Sequence, residues 1–168
     1  MEKFFGAWTA IVTPFNKEVK IDWPGLRKNI EFQKEQGIKG IVPCGTTGES
    51  PTLTAEEHLL IIARVVDFSN QIPVLAGSGS NSTKEAIHFC EMAANFGCFG
   101  ALLIDCYYNG PSSLELREEY YNVIAEKFPD LEIVPYIIPG RTGTALLPLD
   151  LAILAHRYSN INAVKEAS

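Results

Sequence analysis

The residue best suited to covalent chemistry in this 168-residue sequence is a lysine set in an apolar run, Ala163-Val164-Lys165-Glu166. The run predicts a buried strand, and burying an ammonium is costly unless it is paired or neutralised. A neutral amine is the nucleophile that forms a Schiff base with a carbonyl compound. The plainer alternative is a lysine that snorkels to solvent from a frayed segment. Further candidates follow other apolar runs. Tyr136-Ile137-Ile138-Pro139-Gly140-Arg141 offers a phenol, which relays protons when hydrogen-bonded, and a guanidinium, which grips a carboxylate in bidentate fashion. Asp105-Cys106-Tyr107-Tyr108-Asn109 adds two more phenols. Taken singly, each is more often a packed aromatic or a surface charge.

Two glycine-containing turns complete the inventory. Cys44-Gly45-Thr46-Thr47-Gly48-Glu49-Ser50 sets two hydroxyls and several free amides between glycines, a small anion cradle. In isolation it reads equally as a tight turn whose threonines cap the next segment. Gly77-Ser78-Gly79-Ser80-Asn81-Ser82 approximates the dinucleotide fingerprint, with Ser82 where the third glycine belongs. It follows the third unit rather than the first, so a turn and helix cap is the better reading.

Short apolar runs at 6–13, 38–43, 72–76, 100–104, 132–136 and 163–166 alternate with amphipathic runs of helical period. That alternation predicts an α/β chain with a parallel sheet and crossover helices. Asp22 before Trp23-Pro24, Thr54 with Glu57, and Ser82 with Glu85 mark helix starts. The repeat of 25 to 30 residues runs unbroken, which predicts one domain over residues 1–168. Such an array closes as a barrel or stays open, and in both cases function belongs at the C-terminal ends of the strands.

A formal charge of −6, from 14 Lys and Arg against 20 Asp and Glu, argues against nucleic acid and anionic membranes as partners. No apolar run approaches the ~20 residues of a membrane span, and the opening Met1-Glu2-Lys3-Phe4-Phe5-Gly6 lacks a basic region followed by an apolar one. A cytoplasmic location is expected by default. Cys44, Cys90, Cys98 and Cys106 show no metal-ligand spacing and read as reduced, structural thiols, while His58, His88 and His156 read as ordinary helix residues.

In order along the chain, GTTGES at 45–50, GSGSNST at 77–83, YYN at 107–109, PGRTG at 139–143 and VKEAS at 164–168 resemble the dihydrodipicolinate synthase and N-acetylneuraminate lyase family. The segment 6–15 is similar to that family's first strand. The resemblance implies a (β/α)8 TIM barrel of which this chain supplies about the first six strands. It also implies a lyase that joins pyruvate to an aldehyde through a lysine imine, without organic cofactor or metal. By that resemblance Lys165 is the Schiff-base lysine, Tyr136 the proton donor and acceptor, and Thr47 a hydroxyl relay. Gly45, Thr46 and Thr47 form the pyruvate carboxylate cradle, and Tyr108 reaches a neighbouring subunit's site in a homo-oligomer, a dimer or tetramer. Arg141 stands where the synthases hold the carboxylate of aspartate semialdehyde, in lysine and diaminopimelate biosynthesis. The alternatives are a sialic-acid lyase, a 2-keto-3-deoxy-sugar acid aldolase, and an inactive paralogue that binds or assembles. Three departures from the family pattern are Ile137 after the tyrosine, where asparagine is usual, Asp105-Cys106 in place of Thr-Pro, and Cys98-Phe99 in place of Ala-Asp. Asp105 is expected to add negative charge near the site.

Overall fold

A computed structural model describes residues 4–168; Met1, Glu2 and Lys3, with the expectation placed on them, lie outside the described residues. Six parallel strands follow one another in chain order: β1 (Trp8–Ala10), β2 (Gly40–Val42), β3 (Leu75–Gly77), β4 (Gly100–Ile104), β5 (Glu132–Ile137) and β6 (Lys165–Glu166). Ladders join β1 to β2 and run continuously from β3 to β6. A bridge from Ile41 to Val74 and a Gly77 N–H to Pro43 carbonyl bond of 2.9 Å carry the curve across β2 and β3. This is six-eighths of a (β/α)8 wall.

Alternation along each strand explains why both faces are apolar. Val42, Leu75, Leu102, Val134 and Tyr136 point inward to one cluster, with Trp8, Ala10, Ile104, Ile138 and Ala163 packed on it. The intervening residues, Ile41, Val74, Ala76, Ala101, Leu103 and Ile133, face the helices. At the N-terminal end of the strands the interior is closed by Phe4, Trp8 and Phe99, whose ring centroids stand 5.1 to 5.6 Å apart.

The helices start where the capping residues are. Helix α1 (Trp23–Glu35) begins on Asp22, whose carboxylate accepts the Gly25 N–H, and α2 (Ala55–Ser69) begins on a full Thr54/Glu57 capping box. Helix α3 (Thr83–Asn95) departs from the expected box: Ser82 accepts the Glu85 N–H, but the Glu85 carboxylate turns to the Ser80 hydroxyl. Between β4 and β5 a single helical run comprises α4 (Ser113–Glu115), a π-helical stretch (Leu116–Tyr121) and α5 (Asn122–Lys127). A short α6 (Pro139–Thr142) and α7 (Pro148–Arg157) lead to β6. The strands at 6–13, 38–43, 72–76 and 163–166 are shorter than their apolar runs predict, whereas β5 runs one residue past its expected end. Gly6 takes a positive φ of 68°, Asn70 and Gln71 are left-handed, and Pro73 has no N–H for a ladder.

Candidate functional site

The ends of β4, β5 and β6 bring three side chains into one row, because Ile104 is in register with Tyr136 and Tyr136 with Lys165. All three are inward positions. The Lys165 Nζ lies 4.1 Å from the centroid of the Tyr136 ring, a cation–π distance that holds the amine over the phenol-bearing face. Tyr136 is buried, whereas Lys165 is only half-buried at the edge of the described wall.

Opposite stands the turn after β2. Cys44 adopts φ 52°, a left-handed conformation uncommon for a residue with a side chain, and swings the chain into a 3-10 turn, Thr46–Gly48. The Thr13 hydroxyl donates to the Gly48 carbonyl at 2.8 Å and fixes the turn to the segment that follows β1. Gly77 lets β3 lie directly against it: a Cβ at Gly77 would sit 2.0 Å from the Cys44 carbonyl oxygen. Only glycine permits that approach.

Between the turn and the strand row is a cavity of about 190 Å³ lined by Gly45, Thr46, Gly79, Leu102, Ile104, Tyr107, Tyr136 and Arg141, among others. Four of the expected site residues therefore share its wall: Gly45, Thr46, Tyr136 and Arg141. Lys165 adjoins it through Tyr136. Thr47 is exposed and does not line the cavity, whereas Thr46 does. Tyr108 is 89% exposed and points away, while its neighbour Tyr107 turns in. Tyr107 is held there by its N–H, which donates to the Asn81 Oδ1 at 2.6 Å.

Besides Thr47, two residues behave differently from their sequence-based expectation. His58 is not an ordinary helix residue but is buried, with Nε2 donating to the Gly77 carbonyl at 2.6 Å and its ring stacked on Phe89. Burial lowers its pKa against the opposing pull of that carbonyl and of Glu85, which favours the neutral ring. It props the β3 end beside a second, polar cavity of about 170 Å³ that shares Ser50, Pro51, Gly79 and Tyr107 with the first. A lone helical histidine carries no sequence signal for this. Asp105 is the second correction: it does not add charge to the site, because it falls on the outward parity of β4 and is sealed in the helix layer against Tyr121. The four cysteines are free thiols; burial raises Cys44 strongly and pushes Cys90 and Cys98 up to about 12, which keeps them protonated and unreactive.

A profile described as the dihydrodipicolinate synthetase family matches residues 3–168. The 4-hydroxy-tetrahydrodipicolinate synthase of Syntrophus aciditrophicus is 50% identical over 166 residues, covering 98% of this chain and 56% of the relative. That of Methanococcus vannielii is 48% identical over 164 residues, covering 97% and 56%. The solved dihydrodipicolinate synthase of Acinetobacter baumannii, a complex with pyruvate, superposes with a TM-score of 0.92 at 41% identity, covering 97% of this chain and 55% of that one. The chain thus spans a little over half the length of the relatives it matches.

Proposed function

Because the chain belongs to the dihydrodipicolinate synthetase family, we propose that its strand ends form the pyruvate-binding part of a synthase that condenses pyruvate with aspartate semialdehyde. The observation that carries this reading is the row of β4, β5 and β6 ends, with the Lys165 amine 4.1 Å above the Tyr136 ring beside the cavity of Thr46 and Arg141.

The chemistry follows from those groups. The Lys165 nitrogen gives up a proton and adds to C2 of pyruvate; the carbinolamine then loses water, with the C2 oxygen leaving as that water, to give an imine. Loss of a proton from C3 gives an enamine, and its C3 attacks the aldehyde carbon, whose oxygen takes up a proton; the amino group of aspartate semialdehyde then adds to the C2 imine and expels the Lys165 amine, which closes the ring and frees the lysine. Each step moves a proton, and Tyr136 is the phenol in reach of the amine. Thr46, facing the same cavity, is the hydroxyl we assign to the relay, with Gly45 and the adjoining amides around the pyruvate carboxylate. Thr47 contributes to that cradle through its backbone. Arg141, on the opposite rim, suits the carboxylate of the aldehyde. Tyr108, 89% exposed, is free to enter the site of a second copy, which makes a homo-oligomer part of the proposal.

The test is incubation with pyruvate and borohydride, followed by intact-mass and peptide mapping. A reduced pyruvate adduct on Lys165, absent in Lys165→Ala, is expected; an adduct that persists in Lys165→Ala would sink the assignment.

A further inference from the structure

Asp105 is a fully buried carboxyl group that the condensation chemistry does not use. Its backbone N–H donates to the Tyr136 carbonyl at 3.2 Å, which ties it to the strand end that carries the site. Its side chain turns the other way. There Oδ1 lies 2.6 Å from the Tyr121 hydroxyl and Oδ2 accepts the Leu146 N–H at 3.1 Å. The Tyr121 oxygen is also 3.0 Å from the Leu103 carbonyl. A phenol has one proton to give. With a proton on Oδ1, Asp105 donates to Tyr121 and Tyr121 to Leu103, so every group is paired.

Tyr121 is the last residue of the π-helical stretch. Within that stretch Tyr120 and Tyr121 are both sealed inside, edge to face with centroids 5.0 Å apart. Tyr120 accepts the Ser80 N–H at 3.1 Å behind β3, and Tyr121 takes Asp105 behind β4. Burial raises the Asp105 carboxyl above the usual carboxylate range; the Tyr121 and Leu146 hydrogen bonds oppose it and the Glu166 charge adds to it. Cys106 and Tyr120 are the other titratable groups against this pair.

Leu146 lies in the loop that follows α6, the short helix that carries Arg141, and the two together form the Arg141 turn. After leaving β5, that turn is tied down at Thr144, whose hydroxyl donates to the Pro111 carbonyl, at Leu146, and at Leu147, whose N–H donates to the Ser113 hydroxyl at 2.8 Å. Of these three tethers, the one to Asp105 is sealed from water. We propose that Asp105, backed by Tyr121, is a positioning residue for the aldehyde substrate: it fixes the Arg141 turn against the end of β4 and so sets where the guanidinium meets the substrate carboxylate. The proposal rests on the role given to Arg141 above.

Asp105→Ala, Asp105→Asn and Tyr121→Phe test it by two readouts. In Asp105→Ala, amide exchange across 142–147 should accelerate about tenfold or more relative to α1. The KM for aspartate semialdehyde should rise about tenfold, with kcat changed less than about threefold and pyruvate trapping on Lys165 unchanged. Asp105→Asn should restore both, since its amide donates to Tyr121 while its oxygen accepts the Leu146 N–H. Tyr121→Phe removes one arm, keeps the carboxyl, and should shift both readouts in the same direction by less. Wild-type exchange across 142–147 in Asp105→Ala overturns the proposal, as does an unchanged KM alongside accelerated exchange. If Asp105→Ala does not fold, the same criteria apply to Tyr121→Phe. Should the wild-type chain trap no pyruvate, the reading of Lys165 fails, and exchange alone decides whether Asp105 holds the turn.

Discussion

The amine of Lys165 and the phenol of Tyr136 are adjacent because two residues with no sequence proximity occupy the same level of neighbouring parallel strands. Replacing Tyr136 with Phe keeps the ring that the amine rests on and removes the hydroxyl that would give and take the proton. Borohydride trapping should then slow by about a hundredfold without loss of folding, as followed by adduct mass against time. Asp105 makes a separate prediction through stability. Its folded pKa is raised, chiefly by burial, so between the unfolded and folded values the folded chain binds the extra proton. That contribution is fully present below the unfolded value and is lost as pH rises through the folded one. Thermal melts of the wild type should therefore weaken with pH over that window, and Asp105→Asn, which cannot ionise, should flatten the dependence. An equal slope in both proteins would contradict it.

At the scale of the element, the turns and caps are the parts most directly written in the residues. Thr54 with Glu57 forms the box its spacing predicts, and Thr54→Ala should cost about 1 kcal/mol, measured by denaturant unfolding. Gly77→Ala should be worse, because its Cβ has no space against the Cys44 carbonyl. Expected losses are about 1 to 3 kcal/mol in stability together with most of the pyruvate trapping, since the cradle must move. Some elements were not legible in the residues. Apolar runs overestimate strand length, because ladder pairing stops where Gly6 or Pro73 changes the backbone while the side chains remain apolar. Tyr120 and Tyr121 fall at core positions by their helical spacing and are both buried, but the π-helical turn that carries them and the pairing of Tyr121 with Asp105 leave no mark in the hydrophobic period. Which of Thr46 and Thr47 faces the cavity is likewise decided by the left-handed Cys44 upstream, which composition does not announce.

For the molecule as a whole, the order of βα units and the placing of function at the C-terminal strand ends follow from the alternation of runs. The family resemblance then chose a barrel over an open sheet. Among the described residues β1 pairs only with β2 and β6 only with β5, and Leu149, Leu147, Ile153 and Val164 are exposed on the β6 side. Unpaired parallel edges with apolar flanks favour association. The 168-residue chain on its own should therefore show a concentration-dependent mass in light scattering; a strictly monomeric chain across the accessible range would contradict this. No helix among the described residues is long and apolar enough to cross a membrane.

The π-helical stretch also bears on descent. A π turn holds one residue more than the α turn it replaces, so it accommodates a single inserted residue while the helix on each side keeps its face toward the sheet. Aligned relatives that lack the insertion should show a one-residue gap within 116–121 and, having no second inward tyrosine to meet, no acid at the place of Asp105. The two changes should be inherited together, as one event compensated by the other.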